Sequence, residues 1–294
     1  MGTTVVIGNF DGVHLGHRAV LQAARAHNGN GYVMAVTFWP HPNWVIRPGT
    51  GPLLLSTLED RLALLAEAGA DATQVVDFTP ELAQWTPAEF VDRVIRPLRP
   101  DHVVVGDNFR FGRGAAGNVD TLREIADGEF EVNGLDLVLE GAGPTSSTRI
   151  RQVLAEGDVT AAAHMLGRWY RFGGEVQRGD QRGRELGVPT ANLLAVHGYA
   201  VPQDGVYAGW MTCREQPKLG TLPVAISVGS NPTFDGMERR VESHVLDRDD
   251  LDLYGDHIDV EFVAHVRGQV RFDGVESLVE QMQQDIADVR VLLG

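Results

Sequence analysis

The stretch Gly8-Asn9-Phe10-Asp11-Gly12-Val13-His14-Leu15-Gly16-His17 decides how the first half of the chain reads. Before it, Thr4-Val5-Val6-Ile7 has the apolar, β-branched character of a short buried strand; after it, a helix opens. Strand, glycine-bearing loop and helix start place the segment at the carboxyl end of a parallel sheet, where α/β folds gather their ligands. The helix start offers free amides and the positive end of a dipole, both suited to phosphate. His14 and His17 set two imidazoles beside that anion site, and Gly12 and Gly16 let backbone approach a ligand closely. A solvated turn with incidental histidines is the plainer alternative.

Working outward, Tyr32 to Phe38, Gln74 to Phe78 and His102 to Val105 are further strand-like runs, apolar on both faces as parallel strands are. Between them Ser56-Thr57-Leu58-Glu59 and Thr86-Pro87-Ala88-Glu89 have capping-box spacing, the second with proline at the first helical position. Strands alternating with helices predict a doubly wound, Rossmann-like α/β sheet. Near Gly167 the pattern changes to β-like runs separated by turn residues: Val206 to Cys213, Leu222 to Val228, Val241 to Leu246 and His257 to Val263. One helix closes the chain, with Asp273 and Glu276 as capping candidates and Leu278, Met282, Ile286, Val289 and Leu293 as an apolar stripe. Strands in series followed by one helix predict a small all-β barrel with a helix packed on it. The expected domains are residues 1–167 and 168–294.

Composition narrows the function classes. Twenty-five Lys+Arg against 40 Asp+Glu leave a net charge of −15, which disfavours nucleic acid and anionic membranes as partners. Lys218 is the one lysine, so a P-loop or Schiff-base lysine is excluded and phosphate must be met by Arg, His, backbone amides and a metal. Glycine, at 34 of 294 residues, is well above the usual ~7% and implies tight turns or close approaches to ligands. A single cysteine, Cys213, fits a reducing cytoplasm. No apolar run approaches the ~20 residues of a membrane span, and no signal peptide is expected. An oligomer is possible but not indicated.

Further segments carry chemistry. Ser146-Ser147-Thr148-Arg149-Ile150-Arg151 reads as a second helix start whose hydroxyls and guanidiniums can hold phosphate oxygens, or as capped helix surface. Gly112-Arg113-Gly114-Ala115-Ala116-Gly117 satisfies G-x-G-x-x-G but does not directly follow its strand, so it reads as a mobile glycine loop over a ligand rather than a dinucleotide fingerprint. Beside it Asn108, Phe109 and Phe111 are candidates for contact with a flat ring, with core packing of the phenylalanines equally open. In the β-rich half, Gly179 and Gly183 allow a loop to wrap phosphate through its amides. Thr190 and Asn192, two residues apart, put two oxygens on one side of an extended segment, enough for Mg²⁺ that keeps phosphates and waters; a polar-capped turn is the alternative.

His14-Leu-Gly-His17 resembles the HxGH signature of the nucleotidyltransferase superfamily. With TFWPHP at 37–42, VVGDNFRFGRGAAG at 104–117 and SSTRIR at 146–151, the string GNFDGVHLGH resembles the adenylyltransferase half of bacterial FAD synthetases. GDQRGRELGVPTAN at 179–192 resembles the GxxxGRxLGxPTAN signature of riboflavin kinases, and segments around Gly205, Asn231, Glu242 and Tyr254 continue the likeness. The resemblance covers nearly the whole chain and implies an adenylyltransferase domain followed by a Greek-key kinase barrel. It implies that riboflavin is phosphorylated by ATP to FMN in the second half and that FMN is adenylylated to FAD in the first. It assigns His14 and His17 to catalysis, Gly8, Phe10, Gly12, Ser147, Thr148 and Arg151 to ATP, and His41, Asn108, Phe109, Phe111 and Arg267 to flavin. In the barrel it gives Gly179 and Gly183 to phosphate, Thr190 and Asn192 to Mg²⁺-ATP, and the general base to Glu242. Arg267 reads equally well as a surface ion pair. The departures are small: a short start before the first strand, Trp169 where a proline is common, and Asn43-Trp44 after His41-Pro42 on the flavin side of the first site.

Overall fold

The computed structural model describes residues 2–29, 31–135, 145–178, 188–194, 198–233 and 236–294, with no side-chain description for Asn28, 231–233 and 236–238. The chain divides into two compact units, residues 1–147 and 148–294.

In the first unit β1 (Thr3–Ile7), β2 (Tyr32–Trp39), β3 (Ala72–Asp77), β4 (His102–Gly106) and β5 (Glu131–Leu135) form a parallel sheet in the order β3-β2-β1-β4-β5. The strand order reverses beside β1, the position where such sheets open a crevice at their carboxyl ends. Apolar residues on both faces of each strand explain the layering. Val5, Ile7, Val103 and Val105 join one core with Phe90 and Leu122, whereas Val6 and Val104 join the other with Leu21 and Leu65. Helices therefore cover both faces: α1 (Leu15–Asn28) and α3 (Leu58–Glu67) on one, α4 (Pro87–Phe90) and α5 (Val119–Ala126) on the other. A short α2 (Pro42–Ile46) follows β2.

The capping box expected at Thr86 is present in full, with the Thr86 hydroxyl accepting from Glu89 N–H and the Glu89 carboxylate from Thr86 N–H. At α3 the cap lies one residue later than expected. Thr57 accepts from Asp60 N–H, because the Ser56 hydroxyl is taken up by Gly12 N–H and Asp11.

The second unit begins with α6 (Ser147–Ala155), whose first residue belongs to the first unit, and α7 (Val159–Leu166), which ends on Gly167 in the left-handed region. Six antiparallel strands follow: β6 (Tyr170–Glu175), β7 (Ala191–Leu194), β8 (Gly205–Cys213), β9 (Leu222–Thr233), β10 (Gly236–Val245) and β11 (His257–Gly268). Among the described residues their order is β6-β11-β8-β9-β10-β7. Gln177, two residues past the end of β6, bridges Asn192 of β7, its N–H donating to the Asn192 carbonyl at 2.9 Å, giving a near-closed barrel. Tyr207 and Phe262 meet edge to face inside it at 5.4 Å. The closing helix α8 (Val275–Leu293) inserts Val289 against Ala208 and Leu246. Its N-cap is Gly274, with no side-chain hydrogen bond, so Asp273 does not cap it. No helix among the described residues is long and apolar enough to cross a membrane.

Candidate active sites

The loop after β1 reaches its shape through strained backbone: Phe10, Gly12 and Val13 have φ of 51°, 78° and 37°. A β-branched residue at positive φ is costly and persists only where surrounding bonds over-determine it. Here the brace is buried Asp11, whose carboxylate accepts from the N–H groups of Leu55 and Ser56 and lies 3.4 Å from the Arg61 guanidinium. Arg61 is fully buried, bonds the Phe38 carbonyl and sits 5.5 Å over the Trp39 ring. The Ser147 hydroxyl donates to the Asp11 carbonyl at 2.9 Å and Thr37 to that of Asn9, so Ser147 and β2 are both tied to this loop.

His14 then N-caps α1, its Nδ1 accepting from His17 N–H at 3.3 Å. The two imidazoles stack at 3.6 Å, and Phe10 meets His17 edge-on at 5.2 Å. Gly16 serves the histidines as much as any ligand, since a Cβ there would stand 3.1 Å from Cε1 and Nδ1 of His14. Burial, with smaller contributions from His14 and Arg61, holds His17 well below its ordinary value of 6.5, so the ring is neutral at physiological pH. Its Nδ1 is buried and has no hydrogen-bond partner among the described residues, an atom suited to a polar ligand. Thr148 is exposed and Arg151 half-buried on α6.

On the other proposed wall, His41 is buried and N-caps α2 through Asn43 N–H. The Trp44 indole donates to the Pro52 carbonyl, and its ring fills the space in which a Cβ on Gly51 would stand. Phe111 lies in the core against Phe90, with Phe109 stacked on it at 5.3 Å and Asn108 exposed alongside. The glycine loop after them is held rather than loose: Phe111 and Gly117 exchange two backbone bonds, Arg113 N–H donates to the Trp85 carbonyl at 2.7 Å, and Gly112 presses on Pro87. The helix that follows, α5, has its first turn capped by the Asn118 side chain, which accepts from Thr121 N–H at 2.9 Å.

In the barrel, register makes the second site. Glu242 on β10 stands directly opposite Asn192 on β7 and Ser227 on β9, so the Glu242 and Asn192 side chains share one face. Thr190 lies just before β7, and the Asn192 amide donates to its hydroxyl at 3.3 Å and its carbonyl at 3.2 Å, which leaves the Asn192 oxygen available. His244, two residues along β10 from Glu242, bonds the Pro189 carbonyl at 2.9 Å and steadies the Thr190 segment. Thr190 and Asn192 border a cavity of about 520 Å³ whose wall includes Val176, Val245, Leu253 and Tyr254, with Arg178 5.8 Å over the Tyr254 ring. Gly179 and Gly183 lie outside the described residues. Arg267 forms a two-pronged pair with buried Asp285 of α8 at 2.7 and 2.6 Å and lies 5.9 Å over Phe272.

Sequence reasoning left out Asp11, Arg61 and the cavity. Asp11 stood within the opening stretch, and Arg61 shares the face of α3 that carries Leu64 and Leu65, which is the signal that it is buried. The cavity carries no local signal, because strands far apart in the chain build it.

A protein with a nucleotidyltransferase-type sheet, a paired-histidine helix start and a separate β-barrel carrying a carboxylate beside two oxygen donors is a two-site transferase. The FAD synthetase family model matches residues 1–149 and the riboflavin kinase model residues 166–293. The bifunctional riboflavin kinase/FMN adenylyltransferase of Listeria monocytogenes is 36% identical over 290 residues, covering 97% of this chain and 91% of that one. Its Escherichia coli K12 counterpart is 35% identical, covering 100% and 93%. A crystal structure described as a macrolide-efflux protein from Streptococcus pneumoniae superposes with a TM-score of 0.88 at 31% identity, covering 98% and 94%. The chain belongs to the bifunctional riboflavin kinase/FMN adenylyltransferase family and is an enzyme with both domains in the family's order.

Proposed function

We propose that residues 168–294 transfer the γ-phosphoryl group of ATP to the 5′-hydroxyl of riboflavin, and that residues 1–167 join the resulting FMN to the AMP moiety of a second ATP, releasing pyrophosphate. One observation carries this reading: each compact unit holds reactive groups of its own, the stacked histidines at the start of α1 and the Glu242–Asn192 pair across β10 and β7.

In the kinase half, Glu242 takes the hydroxyl proton as the oxygen attacks phosphorus, held in position by a strand paired on both sides. Thr190 Oγ1 and Asn192 Oδ1 are neutral hard donors, and with the Asn192 amide committed to Thr190 the pair fits Mg²⁺. A bound Mg²⁺ supplies neutralisation of phosphate charge. Val176, Val245, Leu253 and Tyr254 on the otherwise mostly polar cavity wall suit the adenine ring, and the glycines at 179 and 183 the phosphates. Arg267, held in place by Asp285, is the flavin contact that the family resemblance assigns in this half.

In the adenylyltransferase half the FMN phosphate is itself the nucleophile, so positioning and charge stabilisation suffice. His14, His17 and the amides from Gly8 to Gly12 bind the nucleotide phosphates, with Phe10 shaping the loop and the Ser147 hydroxyl bonded to its Asp11 carbonyl; the family resemblance adds Thr148 and Arg151 as phosphate ligands. A neutral His17 acts there as a hydrogen-bonding group rather than as a cation. His41, Asn108 and Phe109 meet the flavin, with Phe111 behind Phe109. The buried, unpaired Cys213 accords with work in the cytoplasm on small-molecule substrates.

The test uses full-length protein with riboflavin, ATP and Mg²⁺, the flavins being separated and timed by fluorescence. FMN rises before FAD. His14→Ala loses FAD formation and keeps FMN formation; Glu242→Gln loses FMN formation and keeps FAD formation from supplied FMN. Loss of both activities in either variant would refute the two-site assignment.

A further inference from the structure

At the far end of α1 from His14, three metal-binding side chains converge. His102 opens β4 and Glu131 opens β5, and the parallel register pairs them directly, so their side chains are neighbours on one face. His27, in the last turn of α1, completes the group. His27 Nε2 lies 3.2 Å from His102 Nδ1 and 3.5 Å from Glu131 Oε2, and His102 Nδ1 lies 3.0 Å from that same oxygen. Three donors about 2.0–2.1 Å from a tetrahedral ion stand roughly 3.3 Å apart, which these separations straddle. The two imidazoles meet at 82°, as rings aimed at a common point rather than stacked.

We propose that His27, His102 and Glu131 bind one divalent transition metal of the zinc class, with a fourth position open to solvent. Two imidazoles and one carboxylate favour such an ion over Mg²⁺, which prefers an all-oxygen shell. The negative end of the α1 dipole adds attraction for a cation. The site lies about 20 Å along α1 from His14, at the amino ends of the strands, and is separate from the transfer chemistry. Bound metal staples the last turn of α1 to β4 and β5. The other such grouping among the described residues, Cys213, Glu215 and Asp256, is less suited: burial pushes the Cys213 thiol up, Gln216 occupies Asp256 and His257 N–H occupies Glu215.

The experiment takes tag-free, chelator-treated full-length protein and titrates Zn²⁺ against a chromophoric indicator, with Co²⁺ spectra as a check on geometry. His27 and Glu131 are exposed enough for His27→Ala and Glu131→Gln to fold. Wild type binds zinc saturably, gains thermal stability from it and gives intense visible Co²⁺ bands. His27→Ala and Glu131→Gln each remove one site from the stoichiometry or weaken it at least about tenfold, and lose the Co²⁺ bands, while His14→Ala retains them. Absence of saturable binding in wild type overturns the proposal, as does equal binding by wild type and both variants.

Discussion

Gly16→Ala isolates the positioning of the histidine pair from the rest of the enzyme. Gly16 is the second residue of α1, so alanine gains at most about 1 kcal/mol of helix propensity. The added Cβ, however, stands 3.1 Å from Cε1 and Nδ1 of His14, where carbon contacts are comfortable at about 3.5 Å or more. The ring must therefore move by about 0.4 Å. It is buried and stacked at 3.6 Å on His17, so the displacement enters the pair rather than solvent. Since a misplacement of about 1 Å costs on the order of a hundredfold in rate, a shift of this size costs on the order of tenfold in adenylyl transfer. The propensity gain and the contact strain offset each other, leaving stability within about 1 kcal/mol. One time course with riboflavin and ATP reads both halves: FMN accumulates at the wild-type rate while FAD formation slows about tenfold. Unchanged FAD formation, or equal slowing of both steps, would refute the reasoning.

The charge state of His17 predicts a pH effect. The folded protein keeps this ring neutral well below 6.5, while the unfolded chain protonates at its ordinary value. The contribution is thus fully present above about pH 6.5 and is lost as pH falls from there towards the depressed folded value. Denaturant melts of the first unit between pH 7.5 and 5.5 should show this decline, and His17→Gln should flatten it. Gly112 combines a φ of 73° with a Cβ position 2.8 Å from Pro87 N. Gly112→Ala should destabilise the first unit by about 2 kcal/mol and leave FMN formation intact, as measured by melting and by the same flavin assay.

The sheet and the loop that carries the first candidate site were legible because local chemistry determines them. Residues apolar on both faces mark β1, β2 and β4 as interior strands, and the loop from Gly8 to His17 carries its own turn, cap and imidazoles. β5 escaped because Glu131-Val-Asn-Gly-Leu lacks a clean apolar pattern; Gly134 is there for Asp107 and Val119, which a Cβ would strike. The α3 cap was misplaced by one residue because a long-range bond to Gly12 claims Ser56, which no local rule foresees. In the barrel, Thr190, Asn192 and Glu242 were each readable as motif members. The placement of Glu242 opposite Asn192 depends on strand pairing fifty residues apart and needed coordinates. For Phe111 and Arg267 the sequence left two readings open, and the structure shows one filling the core and the other bound to Asp285.

Of the strand that bears Asn192, one flank is laced into β10 along four residues, while on the other the bridge among the described residues is to Gln177. The proposed kinase site is thus mounted on the barrel's clasp. A clasp can part locally at small free-energy cost while the remaining ladders stay closed. Local opening beside Asn192 therefore leaves the rest of the barrel assembled. Damage to this join would show first as lost phosphorylation in a protein that still melts cooperatively.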